Sequence, residues 1–483
     1  MFIGRKAELE FLETKYAEKK GQLIVLYGRR RVGKTETLRK FCKGKPHVFY
    51  SCTQCADLVQ LSKFSKRLLS ANIPAAKYVT AFPDWESAFR SIPDLPYGDQ
   101  KRLVVLDEFP YMCNGNGSIP SILQNLWDNV LKDANVMVIL CGSSMSFIEK
   151  DLLAEKNPLY GRATGIFKME EMGFYDAARF FPDYSPEDKL LAYAALGGVP
   201  HYLEQFDPER SFADNIKRNI LSKGSVLYNE VSFLLHQELR ETSVYNSIIE
   251  AIALGSTKLQ DIDQKSLVKS PQKTSVYLRN LIELGIVRRE FSIDAHAKEM
   301  TKASRGSYRL ADNFFRFWYA FCFSNISQLE DGEVDETYEN AIKPFLHDFA
   351  SIVFEDVCKE FIKDQQKRGK LPLRFRKIGR WMGKTQLRDP NGHGKLRTAE
   401  SEIDLLANGG PARVCLAGEC KFHKHPFSYS DYLDFQAKLV PFKGEKTVYS
   451  ALFSASGFDK RILETAKRDP TLLLYDLDQI VNP

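Results

Sequence analysis

Apolar residues recur along this chain in two rhythms, and the change between them divides it. In the first third, unbroken apolar runs alternate with helical stretches. "QLIVLYG" at 22–28, "HVFYSC" at 47–52, "RLVVLDEF" at 102–109 and "VMVILCGSS" at 136–144 show little polar alternation. Runs of that length suit strands buried on both faces, as in a parallel sheet. "KAELEFLETKYAEKK" leads in as a helix, and "KTETLRKFC" follows the first run as another. Strands alternating with helices predict an α/β domain with its ligand at the carboxyl ends of the strands. From about residue 170 the strand signal fades, and "MGFYDAARFF", "PEDKLLAYAAL" and "HYLEQF" read as helices interrupted by "GGVP" at 197–200.

Further on, "ETSVYNSIIEAIALGSTKLQDI" and "SPQKTSVYLRNLIELGIVRRE" predict three helices. The last starts with Ser270 as N-cap and Pro271 in its first turn. Its inside positions are expected to be Val276, Leu278, Leu281 and Leu284. Lys273, Thr274, Tyr277, Arg279 and Asn280 are expected on the other faces. "GIVRREF" and "GSYRL" are expected as two wing strands, so 236–312 resembles a winged helix. Such a unit can lay a helix in the major groove of DNA, or it can serve packing and protein contacts. An aromatic helical stretch follows 313, and "EIDLLANGGPARVCLAGECKF" reads as a hairpin turning through "NGGP".

Composition narrows the class. A chain of 483 residues with 44% hydrophobic content has the makings of two to four packed domains. A net charge of +6 permits a nucleic-acid partner without requiring one. The nine scattered cysteines, with no signal-peptide pattern in "MFIGRKAELE", place the protein in the cytoplasm. "FFRFWYAFCF" is too short to span a bilayer and carries Arg316, so no membrane is expected as a partner. Cys52 and Cys55 have redox-motif spacing but no second pair for zinc, and read as ordinary thiols.

Two stretches carry chemistry. "GRRRVGKT" at 28–35 fits G-x-x-x-x-G-K-[ST], with an apolar strand before it and a helix after it. Its span through the first helical turn, Gly28, Arg29, Arg30, Arg31, Val32, Gly33, Lys34, Thr35 and Glu36, is the candidate nucleotide site. Backbone N–H groups of such a loop cradle phosphate oxygens, Lys34 should reach the β- and γ-phosphates, and Thr35 should ligate Mg2+. At the tip of 103–109, Asp107 is placed to hold the metal shell and Glu108 to polarise a water for attack on the γ-phosphate. That acid doublet favours an ATPase over a kinase. Ser143 could sense the γ-phosphate or merely cap a helix. Arg162 in "NPLYGR" could stabilise transition-state charge, in cis or across a subunit interface, or be a surface arginine.

The second stretch is "GECKFHKH" at 418–425. Glu419 and Lys421 share one face of a strand, and Asp404 lies fifteen positions back across the hairpin. An acid on one strand and E-x-K on the next is the pattern of metal-dependent nucleases. Asp404 and Glu419 can share a divalent ion, Mg2+ or Mn2+, and Lys421 can position the attacking water. Zinc binding by Cys420, His423 and His425 is disfavoured, because Cys420 points to the other face and no second cluster has ligand spacing. The basic segments "QQKRGK" and "RFRKIGRW" offer charge to a phosphate backbone.

"FIGRKAEL" at 2–9, "GRRRVGKT", "LDEF", "GSS", "PLYGR" and "GGVP", in this order, resemble the archaeal and bacterial P-loop ATPase family related to AAA+ and STAND NTPases, over about 1–235. The resemblance implies Phe2, Gly4 and Arg5 near the adenine and Lys34 and Thr35 on phosphate and metal. It implies Asp107 and Glu108 on metal and water, Ser143 as sensor, Arg162 as a cis- or trans-acting arginine, and Gly198–Pro200 opening a helical lid. "YRLADNFFRFWYAF" and "FLHDFASIVFEDVCKEFI" resemble the C-terminal domain often attached to this family, of PD-(D/E)xK nuclease-like fold. That implies Glu355 as a first-helix acid, with Gln436 a weaker candidate.

The resulting expectation is an α/β chain in four parts. These are a P-loop ATPase core with a parallel sheet at 1–170, a helical lid at 171–235, a winged helix at 236–312, and an α/β restriction-endonuclease-like domain at 313–483. The expected activity is Mg2+-dependent ATP hydrolysis coupled to a DNA-binding, nuclease-like C-terminal domain with DNA cleavage as its candidate reaction; the alternative is a STAND-like switch or scaffold whose C-terminal domain binds nucleic acid or a partner without cleavage. ATP, Mg2+ and DNA are the expected ligands, with a second divalent ion in the C-terminal domain, and homo-oligomers are compatible with Arg162.

Overall fold

The four apolar runs form strands, three of them buried on both faces and "HVFYSC" on one. In the computed structural model, which describes residues 2–300, 306–388, 396–410, 414–443 and 447–483, β1 (Gln22–Tyr27) and β4 (Val136–Gly142) are buried along their whole length. With β2 (His47–Ser51), β3 (Arg102–Asp107) and β5 (Gly165–Lys168) they make a parallel sheet in the order β2-β3-β4-β1-β5. β5 has no apolar run behind it, since only alternate residues of "GIFK" are even half-covered. Successive residues of β1 enter different cores. Leu23 and Val25 pack with Val104 and Leu140 on one face, and Ile24 and Leu26 with Val105 and Ile139 on the other. Each such side chain contributes about 1.5–3 kcal/mol on burial. The carboxyl ends of β3, β4 and β1 therefore come side by side at one edge of the sheet.

The chain divides into two compact units. One is Met1–Met172 with Val199–His201, which holds this sheet, and the other is Gly173–Gly198 with Tyr202–Pro483.

In the second unit, Thr242–Ala253, Leu259–Lys265 and Pro271–Glu283 are helices, followed by the antiparallel pair β6 (Val287–Glu290) and β7 (Ser307–Leu310). Ser270 caps the third helix by accepting from Lys273 N. The face assignment within that helix needs correction. Thr274 is 0% exposed and Val276 is 50% exposed, the reverse of the expectation from the sequence. A period of 3.6 explains it, because 274, 278 and 281 fall on one stripe while 276 lies on the far side. Thr274 is accommodated inside because its hydroxyl donates to Asp263 Oδ1 at 2.6 Å.

The long helix Leu346–Lys367 precedes a second sheet in the order β12-β11-β10-β9-β8. β8 (Lys377–Arg388), β9 (Leu396–Asn408) and β10 (Val414–Lys421) are antiparallel neighbours. β11 (Thr447–Ser454) and β12 (Leu472–Asp476) continue in parallel with β10. The helix Tyr429–Lys438 follows β10. The β9–β10 hairpin expected from the sequence is present, although Pro411 of "NGGP" lies outside the described residues. β8 and β9 slip register at a bulge between Gly379 and Trp381.

Thr274→Val should weaken the second unit by about 1–3 kcal/mol, because it strips a hydrogen bond from the buried Asp263. Val276→Asn should stay within about 0.5 kcal/mol of wild type. Hydrogen exchange of peptides covering 259–283 should accelerate in the first variant and not in the second.

Candidate functional site

The phosphate loop begins where β1 ends. A Cβ at Gly28 would stand 2.2 Å from the Met169 carbonyl oxygen, so only glycine lets the two backbones approach. Arg31 (φ 69°) and Gly33 (φ 89°) then turn the chain into the helix Lys34–Cys42. Lys34 is buried, and its ammonium donates to the carbonyls of Gly28 and Arg29 at 2.8 and 2.9 Å. Burial pushes its pKa down. The charge is met by carbonyl dipoles rather than by a directly bonded carboxylate, an arrangement that suits an incoming phosphate. Thr35 Oγ1 donates to Asp107 Oδ2 at 2.9 Å, which sets a hydroxyl and a carboxylate together beside the loop. These are hard oxygen donors of the kind Mg2+ takes when phosphates and waters complete its shell, so the residues fit that ion.

Glu108 adopts φ 52° just past the tip of β3, and Ser143, at the end of β4, donates to Glu108 Oε2 from its hydroxyl at 2.8 Å and its amide at 3.3 Å. Neighbouring strand ends thus supply Asp107, Glu108 and Ser143. A non-glycine residue in left-handed backbone is uncommon, and here it turns the second acid toward β4 while the first stays with Thr35.

Other predicted positions take different places. Arg5 is buried, and its guanidinium donates to Glu8 at 2.7 Å, to the Glu170 carbonyl at 2.7 Å and to the Val32 carbonyl. It clamps the phosphate loop from behind. Gly4 and Arg5 both have positive φ, and the Phe2 ring lies 5.7 Å from Lys40 Nζ. Arg29, Arg30 and Arg31 are all half-buried, and the Glu36 side chain is exposed and paired with Arg39 at 2.8 Å. Pro200 of "GGVP" lies 3.6 Å from where a Cβ on Gly33 would be. His201, which drew no attention in the sequence, is beside Arg31, with its pKa lowered by burial and then by that charge.

Arg162 forks onto Asp128, with Nε and Nη2 each within 3.0 Å of Oδ2. It precedes Thr164 and Gly165, which register with Leu23 and Ile24 at the amino end of β1. The loop at Gly28 is at the other end, about 17 Å away at ~3.3 Å per residue. Arg162 thus lies toward the amino end of β1, the end of the strand away from the loop.

In the second unit, the pairing of Gly418 with Leu405 sets Asp404 opposite Glu419 when continued by one step. Asp404 Oδ2 accepts from Cys420 N at 2.9 Å. Glu419 is buried and takes Lys421 and Lys438, each at 3.1 Å. Glu355, on the long helix, is paired with Arg380, which also reaches Glu402 at 2.9 Å. Burial, and then the charge of Asp404, push Glu355 up to about 7 against the pull of Arg380. Asp404 is raised by burial and by Glu419. Burial works against the charge on Lys421, yet Glu419 raises its pKa overall. Gln436 donates to Ser450 at 3.0 Å and accepts from Lys443 at 2.8 Å instead of entering the cluster.

The four predicted residues do converge, but two cations come with them that the sequence did not announce. Lys438 follows Gln436 by two positions, a spacing that could have been noticed. Arg380 is the one β8 residue opposite Asp404 and Leu405, where β9 carries an extra residue that no pattern revealed. As folded, these acids do not fit a divalent ion: Glu355 and Glu419 already have cations of the chain, and Asp404 has a backbone donor. Among the described residues no group of three His, Cys, Asp or Glu side chains is arranged to hold a metal.

A parallel sheet with a phosphate loop at its carboxyl edge, followed by a lysine, a threonine and an acid doublet, defines a P-loop ATPase domain. The comparisons agree. Residues 2–206 match the model of an ATPase domain predominantly from Archaea, and 318–432 match that of archaeal and bacterial proteins of unknown function. An uncharacterized protein of Methanocaldococcus jannaschii is 35% identical over 422 residues, 87% of this chain and 88% of its own length. The chain belongs to this archaeal P-loop ATPase family. An uncharacterized ATP-binding protein of the same organism is 62% identical over 45 residues, 9% of this chain and 76% of its own. Among solved structures, a Walker-type ATPase of Pyrococcus abyssi shares the fold, with TM-score 0.51 and 21% identity over 66% of this chain and 96% of its own. No helix among the described residues is long and apolar enough to cross a membrane.

Arg5→Ala should cost about 3–5 kcal/mol, since it leaves Glu8 and two carbonyls without their cation. Arg5→Lys, which keeps the charge and loses the fork, should fall between that and wild type. Thermal unfolding with and without ATP should show the ATP-dependent rise shrink in the same order.

Proposed function

We propose that this protein is a Mg2+-dependent ATPase whose nucleotide state acts on DNA through its second unit. The observation that carries the first half is the row of strand-end groups at the loop: buried Lys34, the Thr35–Asp107 pair, and Glu108 held by Ser143. In this reading the loop amides and Lys34 bind the β- and γ-phosphates, and Thr35 and Asp107 hold the metal, which supplies charge neutralisation at the transferred phosphoryl group. Glu108 takes the proton of the attacking water, and Ser143 holds the carboxylate until the γ-phosphate is in place. Arg162 acts, if assembly occurs, on nucleotide held by a neighbouring copy, after leaving Asp128. Phe2 and Gly4 flank the adenine in this proposal, with Arg5 supporting the loop rather than touching the ligand.

DNA is the proposed macromolecular partner. The exposed side of the Pro271–Glu283 helix offers Gln272, Lys273 and Arg279, and exposed Arg374, Arg376 and Lys377 lead into β8. Charges of that kind on a three-helix and wing unit suit phosphate contacts. Cleavage is a second reading, favoured by the convergence of Glu355, Asp404, Glu419 and Lys421 in one cluster. It requires the cluster to open, because its carboxylates are occupied as folded. Binding without cleavage is the outcome if it never does.

Glu108→Gln should keep ATP binding and lose turnover by about 10²–10⁴-fold, the share a general base supplies. Lys34→Ala should lose binding itself. Equilibrium binding of a fluorescent ATP analogue and phosphate release separate the two, and unchanged turnover in Glu108→Gln would remove it from the base role. For the second reading, DNA cleavage with Mn2+ should be absent in Glu419→Ala, and equal activity in that variant and wild type would end the nuclease proposal.

A further inference from the structure

Three consecutive residues of β8 are held by three consecutive residues that follow β6. Ile293 N donates to the Arg380 carbonyl at 2.9 Å, the Trp381 indole donates to Asp294 Oδ2 at 3.0 Å, and Met382 N donates to Ser292 Oγ at 3.0 Å. β8 is the outer strand of its sheet, and this segment covers part of its edge. The contact falls on the bulge between Gly379 and Trp381. A bulge leaves one residue unpaired and re-aims its side chain. The extra residue is on β9, where Asp404 and Leu405 lie between the partners of Trp381 and Gly379; Arg380 is the single β8 residue opposite them, with a side chain 6% exposed and a guanidinium that meets Glu355 and Glu402. Its Nε has no hydrogen-bond partner. The preceding strand is tied to the helix that bears Glu355, since Arg288 of β6 pairs with Asp356, the neighbour of Glu355, at 2.7 Å.

We infer that Arg380 is a built-in cation that closes the acid cluster, and that residues 292–294 of the wing latch it in place. The inference rests on reading the cluster as a metal-dependent site, and it says why the folded cluster does not fit a metal. A guanidinium beside Glu355 supplies the positive charge that an ion would bring, and like charges placed together cost several kcal/mol, so the two exclude each other. Glu419 has its own lysines, Lys421 and Lys438, whose side chains are 26% and 19% exposed, whereas the Arg380 side chain is 6% exposed and its carbonyl is held by Ile293 N. The wing is also the part of a winged helix that approaches DNA. DNA that draws the wing away would release the backbone at Arg380, so the cluster would take up a divalent ion only when DNA is engaged.

The test is Mn2+ binding to the full chain without nucleotide, read by the loss of the free Mn2+ signal in electron paramagnetic resonance. Arg380→Met should bind Mn2+ on the order of tenfold or more tighter than wild type, and adding Asp404→Asn should cancel the gain. Ser292→Gly combined with Asp294→Ala, which leaves Arg380 untouched, should raise affinity in the same direction by a smaller factor. Circular dichroism establishes folding, and if Arg380→Met does not fold, the wing variant decides alone. Wild-type Mn2+ affinity in the folded variants overturns the latch, as does a gain that survives Asp404→Asn. Cleavage is measured separately: tighter Mn2+ binding with no cutting supports the latch and counts only against the nuclease reading.

Discussion

Lys34 is an ammonium taken out of water and met by two carbonyl oxygens. A cation so placed is costly unless an anion arrives, and the architecture around it exists to hold it there. The parallel sheet brings β1 to a buried end. Gly28 lets the loop pass against Met169, and Arg5 fixes the loop from behind through the Val32 carbonyl. The carboxyl ends of β3 and β4 then set Asp107, Glu108 and Ser143 beside it. Remove the buried strand ends and these side chains are scattered over more than a hundred positions of sequence.

The second unit poses the opposite problem, with buried carboxylates in want of cations. The chain answers it internally, through Arg380 at Glu355 and Lys421 and Lys438 at Glu419. A buried ion pair is weak evidence for stability, because desolvation offsets much of the attraction. Its retention here makes better sense as a means of holding the cluster in one state. In both units buried charges are met by groups of the chain, Lys34 by carbonyl oxygens in the first and Glu355 and Glu419 by cations in the second.

How much of this could be read in the sequence depended on whether the signal was local. The unbroken apolar runs gave β1, β3 and β4, because burial on both faces leaves a plain mark, and β2, an edge strand buried on one face only, was read from a shorter run. β5 escaped because "GIFK" is half-exposed and short. The phosphate loop is legible because its glycines, lysine and threonine are contiguous. Asp404 and Glu419 could be paired because one hairpin joins them. Arg380 could not, since its place opposite Asp404 depends on an irregular β8–β9 register and its backbone is held by a segment some ninety residues earlier in the chain. The outward Val276 was a misjudged helical phase that Leu278 and Leu281 already fixed. Arg162 was recognised as a residue type, but only the strand register located it at the far end of β1.

The central claim is that buried Lys34 and the Thr35–Asp107 pair await nucleotide and Mg2+. A crystal structure of the full chain with Mg2+ and a non-hydrolysable ATP analogue tests it most directly. The account predicts that Lys34 Nζ leaves the Gly28 and Arg29 carbonyls for a phosphate oxygen, and that Thr35 Oγ1 turns from Asp107 to the metal. An analogue bound with Lys34 still on those carbonyls, or bound away from the loop, would contradict it.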